Sequence, residues 1–309
     1  MHPANLQGIW LPLITPFRNG EIDEQSVRRL LHHYAAQPID GLILAATTGE
    51  GMTLDETETE YLVRLATAEL HAVSCAMPVY LGLCGSDTRK LLKTIDLTED
   101  WEINGYLIAC PYYTRPSQDG LIRHFTALAA QTAKPILIYN IPYRTGVNLG
   151  NTAMRRLAEI SNIAGVKDCS ADLTQSCDLL HHRPAGFSVL TGEDALFHTM
   201  LANGADGGVL ASAHIETRAF AVIRSQLIGR DQAGALSAWR GLSDLPRLLF
   251  TEPSPAPIKH WLWRTGLIHS PELRLPMTGI SDALAARLDT EIARRGAACL
   301  TMPAGRPPC

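Results

Sequence analysis

The chain has 309 residues, 46% of them hydrophobic, and 27 lysines and arginines against 31 aspartates and glutamates, a net charge of −4. This apolar content supports a sizeable core and excludes a disordered chain. The mild acidity leaves no basic footprint for nucleic acid or an anionic membrane, and no apolar run approaches the roughly 20 residues that span a bilayer.

Residues 1–7 lack the basic start and long apolar core of a secretory signal. From there, short apolar runs alternate with longer helical patterns. The first strand is expected over 8–14, then a helix through Val27, Leu30, Leu31 and Tyr34. A second strand over 41–45 precedes a helix that opens near Thr53 or Asp55 and carries Tyr61, Leu62 and Leu65. Strands over 79–83 and 105–109 flank a helix centred on Leu91 and Leu92, and four more follow over 136–139, 163–166, 187–190 and 207–210. Eight strand–helix units are the rhythm of a TIM (β/α)8 barrel, expected over residues 1–215. A doubly wound open sheet has the same alternation, but no G-x-G-x-x-G follows the first strand to support a dinucleotide-binding version.

After residue 215 the pattern becomes purely helical, with helices expected over 219–228, 233–250, 257–267 and 281–295. This reads as a C-terminal helical appendix, 216–298, packed on the barrel. Residues 299–309, with Pro303, Pro307 and Pro308, are expected to form a disordered tail. The seven cysteines, Cys75, Cys84, Cys110, Cys169, Cys177, Cys299 and Cys309, contain no C-x-x-C pair, the usage of reduced thiols in a cytoplasmic protein. The pairs His32-His33 and His181-His182 lack metal-ligand spacing, so no metal is expected.

In a barrel the working face is the carboxyl end of the strands. Five lysines occur, and only Lys167 closes an apolar strand-like run. Lys90 and Lys93 sit on a polar helical stretch, Lys134 begins a strand, and Lys259 lies in a late helix. At the same end as Lys167 fall Thr47, Thr48, Gly49 and Glu50, Tyr112 and Tyr113, Tyr139 and Asn140, Arg144, Asp168, and Thr191-Gly192-Glu193. Singly, each has a plainer account: a solvated rim lysine, a barrel-core tyrosine, a turn, a surface arginine. Together they suit amine catalysis on a 2-keto acid. A lysine held against an apolar wall tends toward the neutral amine that condenses with carbonyls. A tyrosine in reach relays protons. Backbone N–H groups of a Thr-Thr-Gly turn hold a small carboxylate, and an arginine grips a second one.

These residues resemble the dihydrodipicolinate synthase / N-acetylneuraminate lyase family, class I pyruvate-dependent aldolases on a TIM barrel. The resemblance rests on Thr47-Thr48-Gly49-Glu50, Pro111-Tyr112-Tyr113-x-Arg115-Pro116-Ser117-Gln118, and Tyr139-Asn140-Ile141-Pro142-x-Arg144-Thr145-Gly146. It continues through Gly165-Val166-Lys167-Asp168, Gly192-Glu193-Asp194, Glu252-Pro253-Ser254-Pro255 and Leu273-Arg274-Leu275-Pro276-Met277. It implies that Lys167 forms a Schiff base with pyruvate and that Tyr139 relays protons. Thr47 would link Tyr139 to Tyr113, which would reach in from a neighbouring subunit of a homo-oligomer, a dimer of dimers. Thr48 would hold the pyruvate carboxylate, with Gly192 and Leu210 lining the pocket through their backbones. Arg144 would grip the carboxylate of L-aspartate 4-semialdehyde. Arg144 and the tyrosine pair favour the synthase branch, a lyase of lysine and diaminopimelate biosynthesis with no cofactor beyond the lysine imine.

Three departures bear on the second substrate. Tyr143 stands where a small residue is usual, Asp168-Cys169-Ser170-Ala171 follows the lysine in place of Glu-Ala-Thr-Gly, and Gly82-Leu83-Cys84-Gly85 replaces a Gly-Thr-Gly pattern. An aldolase or dehydratase of 2-keto-3-deoxy sugar acids, or a catalytically idle binding member, stays open at this point. The positions of a lysine feedback pocket carry Glu56, Ser86 and Lys90, so little inhibition by L-lysine is expected.

Overall fold

The computed structural model describes residues 6–300. Eight parallel strands close on themselves: β1 (Gly8–Pro12), β2 (Gly41–Leu44), β3 (Val79–Leu83), β4 (Gly105–Ala109), β5 (Ile136–Asn140), β6 (Ile163–Asp168), β7 (Ser188–Thr191) and β8 (Gly207–Val209). β8 pairs with β1 through Gly207 and Gly8, so the sheet has no edge and the open-sheet alternative is excluded. The strands are buried on both faces, which is why they read as continuous apolar runs.

Helices α1 (Glu24–Ala35), α2 (Glu56–Ala72), α3 (Thr88–Thr98), α4 (Gln118–Gln131), α5 (Asn151–Leu157), α6 (Leu173–His181), α7 (Phe197–Ala202) and α8 (Ala213–Ile228) alternate with the strands. In α1, Val27, Leu30, Leu31 and Tyr34 fall three and four residues apart and are buried as one stripe, while Asp23 caps the first turn by accepting from the Ser26 N–H. The Tyr34 hydroxyl donates to the His214 carbonyl at 2.8 Å, tying α1 to α8 where the barrel closes. The barrel limit expected at residue 215 falls inside α8.

Four further helices follow, α9 (Gln232–Leu242), α10 (Asp244–Leu249), α11 (Ala256–Arg264) and α12 (Asp282–Leu300). The single helix expected over 233–250 is divided between α9 and α10. Pro246 has no N–H to give the Leu242 carbonyl, so the helical ladder breaks there. Of the tail expected over 299–309, the first two residues end α12 and the rest lie outside the described residues.

Side chains sort into two cores. Ile9, Leu11, Leu42, Leu44, Leu81 and Ile138 face the helices, whereas Trp10, Ile43, Tyr80, Leu107, Leu137 and Tyr139 fill the barrel. This is the period-2 alternation of strands. β6 breaks it: Ile163 and Val166 both face the helices and Ala164 faces inward. The cause is a register shift against β5, where Ile136 pairs with Ile163 but Leu137 pairs with Gly165. One extra residue on β6 reverses the phase, and Lys167 turns into the barrel instead of out of it.

Gly165 permits this, because a Cβ there would sit inside the Ser188 carbonyl of β7. Gly165→Ala should therefore lower stability by about 1–3 kcal/mol as an overpacked site, read from the urea midpoint at constant slope. Gly279→Ala, where an added methyl meets nothing within 4 Å, is the control.

Candidate active site

Tyr139 and Lys167 are register partners on β5 and β6 and both point into the barrel. The Lys167 ammonium nitrogen lies 4.0 Å from the centre of the Tyr139 ring. Lys167 is 5% exposed and Tyr139 6%, which sets aside a solvated rim lysine. A small inner chamber of about 30 Å³ lies around Lys167, bounded by Thr47, Thr48, Tyr139, Arg144, Gly192 and Asp194 among others. It shares walls with a cavity of about 680 Å³, lined by Thr47, Tyr112, Tyr113, Tyr139, Tyr143 and Arg144 among others. Seven of the eight expected site residues thus line one or both of these two adjoining spaces.

The eighth is placed differently. Leu210 is fully buried in the outer core, and its N–H donates to the Trp10 carbonyl at 3.0 Å. Its neighbours Val209 and Ala211 line the chamber instead.

The carboxylate-sized turn has an unusual backbone. Ala45 and Glu50 have φ of 53° and 54°, in the left-handed region that costs side-chain-bearing residues energy. Between them the Glu50 N–H reaches the Thr47 carbonyl at 3.1 Å and the Gly51 N–H the Ala46 carbonyl at 3.2 Å. Among the described residues the N–H groups of Thr47 and Thr48 meet no protein acceptor. Such donors in a tight turn form an anion cradle.

Arg144 comes from a short helix, Pro142–Thr145, that the strand–helix rhythm concealed. Pro at its first position and Gly146 at φ 77° bracket it, leaving Arg144 at the lip of the chamber with no ion pair among the described residues. Tyr113 is 91% exposed on a loop where Tyr113 and Arg115 both have positive φ. No hydrogen bond joins Thr47 to Tyr139 or Tyr113 among the described residues; Thr47 and Tyr139 share the wall of both spaces.

Burial dominates the electrostatics. It pushes the Lys167 amine below the ordinary lysine value, against the opposing pull of Cys169, Asp194 and Glu193. Burial likewise lifts Tyr139 and Cys169 well above theirs. Asp194 is pushed up to about 6, again by burial, although its carboxylate accepts from the Ser212 N–H. Burial also raises Glu193, which accepts the Tyr143 hydroxyl at 2.8 Å. The mouth-narrowing residue is therefore latched to a carboxyl beside the lysine.

Gly192 is explained by contact: a Cβ there would lie 2.5 Å from Lys167 Cε and against Cys169 Sγ. Ser254 and Phe250, from the helical region, also reach the inner chamber. Ser254 lies in the Glu252-Pro253-Ser254-Pro255 stretch, to which sequence reasoning attaches no role. Lys259, read from the sequence only as a late-helix lysine, is the most buried of the five, 0% exposed on α11. Lys134 stays at the opposite barrel end, donating to the Trp101 carbonyl at 2.9 Å.

The geometry agrees with comparison to known proteins. Residues 5–294 match the model of the dihydrodipicolinate synthetase family. A 4-hydroxy-tetrahydrodipicolinate synthase 2 from Clostridium acetobutylicum is 42% identical over 92% of this chain and 98% of its own. The structure of the 4-hydroxy-tetrahydrodipicolinate synthase of Methylacidiphilum fumariolicum SolV superposes with a TM-score of 0.89 at 34% identity, covering 95% of this chain and 97% of that one. A structure described as the first monomeric dihydrodipicolinate synthase variant gives 0.89 at 30% identity, covering 94% and 97%.

After reductive methylation with ¹³C-formaldehyde, the resonance lost in Lys167→Arg should titrate below the ordinary lysine value of 10.5. A midpoint at or above that value would mean that the nearby carboxyls outweigh burial.

Proposed function

This chain belongs to the dihydrodipicolinate synthetase family, and we propose that Lys167 is the amine through which it condenses pyruvate with L-aspartate 4-semialdehyde. The activity is that of a 4-hydroxy-tetrahydrodipicolinate synthase, a lyase of the class I aldolase type. The observation that carries the assignment is the amine of Lys167, dehydrated and 4.0 Å over the Tyr139 ring at the closed end of a two-part pocket.

Lys167 attacks the keto carbon to give a carbinolamine, which loses water to become an iminium. The iminium draws electrons from the adjacent methyl, whose proton departs, and the resulting enamine carbon bonds to the aldehyde carbon of the second substrate. Tyr139 is the group placed to carry protons to and from the carbinolamine. Thr47 and Thr48 present their N–H groups to the pyruvate carboxylate, and Gly192 leaves room for the lysine chain. Arg144, unpaired by protein carboxylates, takes the carboxylate of the second substrate at the lip. The electron sink is the imine itself, so the chemistry calls on no further cofactor.

The exposed hydroxyl of Tyr113 is assigned to a neighbouring subunit's pocket, in a dimer of dimers. Since one relative of the same fold is described as monomeric, assembly needs its own measurement: sedimentation should give a tetramer, with activity lost as it dissociates on dilution. The free thiols Cys75, Cys84, Cys110, Cys169 and Cys177 suit a reducing, cytoplasmic setting.

Borohydride reduction with pyruvate should fix one adduct on Lys167, absent in Lys167→Ala. Tyr139→Phe should slow turnover roughly 10²–10⁴-fold. No adduct in the native protein would refute the assignment. Pyruvate release from 2-keto-3-deoxy sugar acids, without turnover of aspartate semialdehyde, would replace the second substrate while keeping the first step.

The feedback positions point the same way in the fold. Glu56 is exposed at the start of α2, Lys90 is exposed on α3, and the Ser86 hydroxyl is committed to the Tyr112 carbonyl at 2.7 Å. Millimolar L-lysine should leave the rate unchanged in a coupled assay.

A further inference from the structure

Behind the Thr-Thr-Gly turn lies a buried pair of charges that the reaction does not use. Lys259 on α11 is fully buried, and its amine meets one carboxylate oxygen of Glu50, itself 4% exposed. The same amine donates to the Glu272 carbonyl at 2.8 Å. The second Glu50 oxygen accepts the backbone N–H of Arg274 at 3.2 Å, and the Arg274 guanidinium donates to the Thr53 carbonyl at 2.9 Å. The Lys259 amine and the Arg274 guanidinium lie 4.4 Å and 4.3 Å from the centre of the Phe17 ring. Ser254, five residues before Lys259, reaches the inner chamber from the same segment.

Two facts give this arrangement a purpose. First, the turn is held in a backbone it would not choose: left-handed φ at Ala45 and Glu50, with Gly49 so close that a Cβ would lie 2.7 Å from the Leu13 carbonyl. Strain of that kind persists only where the surroundings over-determine it. Second, the tethers converge on the two residues that follow Thr48. The Thr15 hydroxyl donates to the Gly49 carbonyl at 2.6 Å, and Lys259 and Arg274 take the Glu50 carboxylate. A buried ion pair adds little stability over an apolar pair of the same size, yet stranding either partner is costly. Its value here is geometric.

We infer that the Glu50–Lys259 pair is a positioning device that holds the Thr47 and Thr48 N–H groups aimed at the keto-acid carboxylate. Neither residue touches substrate. The inference rests on the assignment of that turn as the pyruvate cradle. It makes the C-terminal helical region part of the binding machinery, because α11 supplies the cation.

The test compares Glu50→Gln, Lys259→Met, their double variant and Thr15→Val in the full-length protein. KM for pyruvate, kcat, borohydride trapping and the thermal midpoint are measured on each. Both single variants should raise KM for pyruvate roughly tenfold or more, the scale of a displaced binding group. kcat at saturating pyruvate should stay near the native value. The double variant strands no charge and should recover thermal stability, yet its KM should stay high. Thr15→Val cuts a neighbouring tether without stranding a charge and should raise KM by a smaller factor.

A double variant with native KM would show the pair to be purely structural and overturn the inference. If the double variant does not fold, an unchanged KM in Thr15→Val overturns it. Failure of the native protein to form a pyruvate adduct would instead remove the function on which this rests, and that outcome is read separately.

Discussion

The one-residue slip between β5 and β6 is the constraint from which the site follows. Strand alternation alone would send the side chain at position 167 toward the helices, on the face of Ile163. The shift at Gly165 reverses that phase and places an ammonium inside a barrel otherwise filled by Leu107, Leu137, Leu190 and Val209. Everything chemical about Lys167 descends from this placement: loss of hydration, contact with Tyr139, and access only through a narrow chamber. A glycine with the β7 backbone against it is the local device that makes the slip possible.

The two buried lysines show how surroundings decide the fate of the same group. Burial lowers both, and it takes Lys259 down to about 8 even with Glu50 pulling the other way. The distinction lies in partners. Lys259 has a carboxylate against its amine and a carbonyl at 2.8 Å, so its charge is answered and its geometry fixed. Lys167 faces an aromatic ring and carboxyls that burial itself drives toward the neutral acid. Burial outweighs the pull of those carboxyls and moves the amine toward the free base, the form that acts as a nucleophile. On the proposed function, burial yields a strut in one case and a reagent in the other.

The sequence made the barrel legible because each strand is short, apolar and spaced by one helix. It made most of the site legible because barrel topology gathers strand ends whatever the loops do. What escaped depends on phase and distance. The register slip leaves no mark in composition, so the inward aim of Lys167 could be guessed only from its motif. Leu210, expected to line the pocket through its backbone, buries its side chain in the outer core between Val209 and Ala211, which line the chamber. Lys259 looked like an ordinary helical lysine because its partner, Glu50, is over two hundred residues away and no local pattern records the pairing. Pro246 and the Pro142–Thr145 helix were missed for the opposite reason, since a periodic apolar pattern hides a break of one hydrogen bond.

The division of the pocket also orders the chemistry. Thr47, Tyr139 and Arg144 belong to the walls of both spaces, so a molecule bound to Lys167 must present its reacting carbon at their junction. The inner chamber is small, and the outer cavity is more than twentyfold larger. A keto acid that entered second would find its path filled. On the proposed function, the keto acid would bind first, form the imine, and offer the enamine outward to a partner held at Arg144. Tyr143, hydrogen-bonded to Glu193, lines both spaces as well. Choice of the second substrate then rests with residues at the mouth, while the amine chemistry beneath them is indifferent to it.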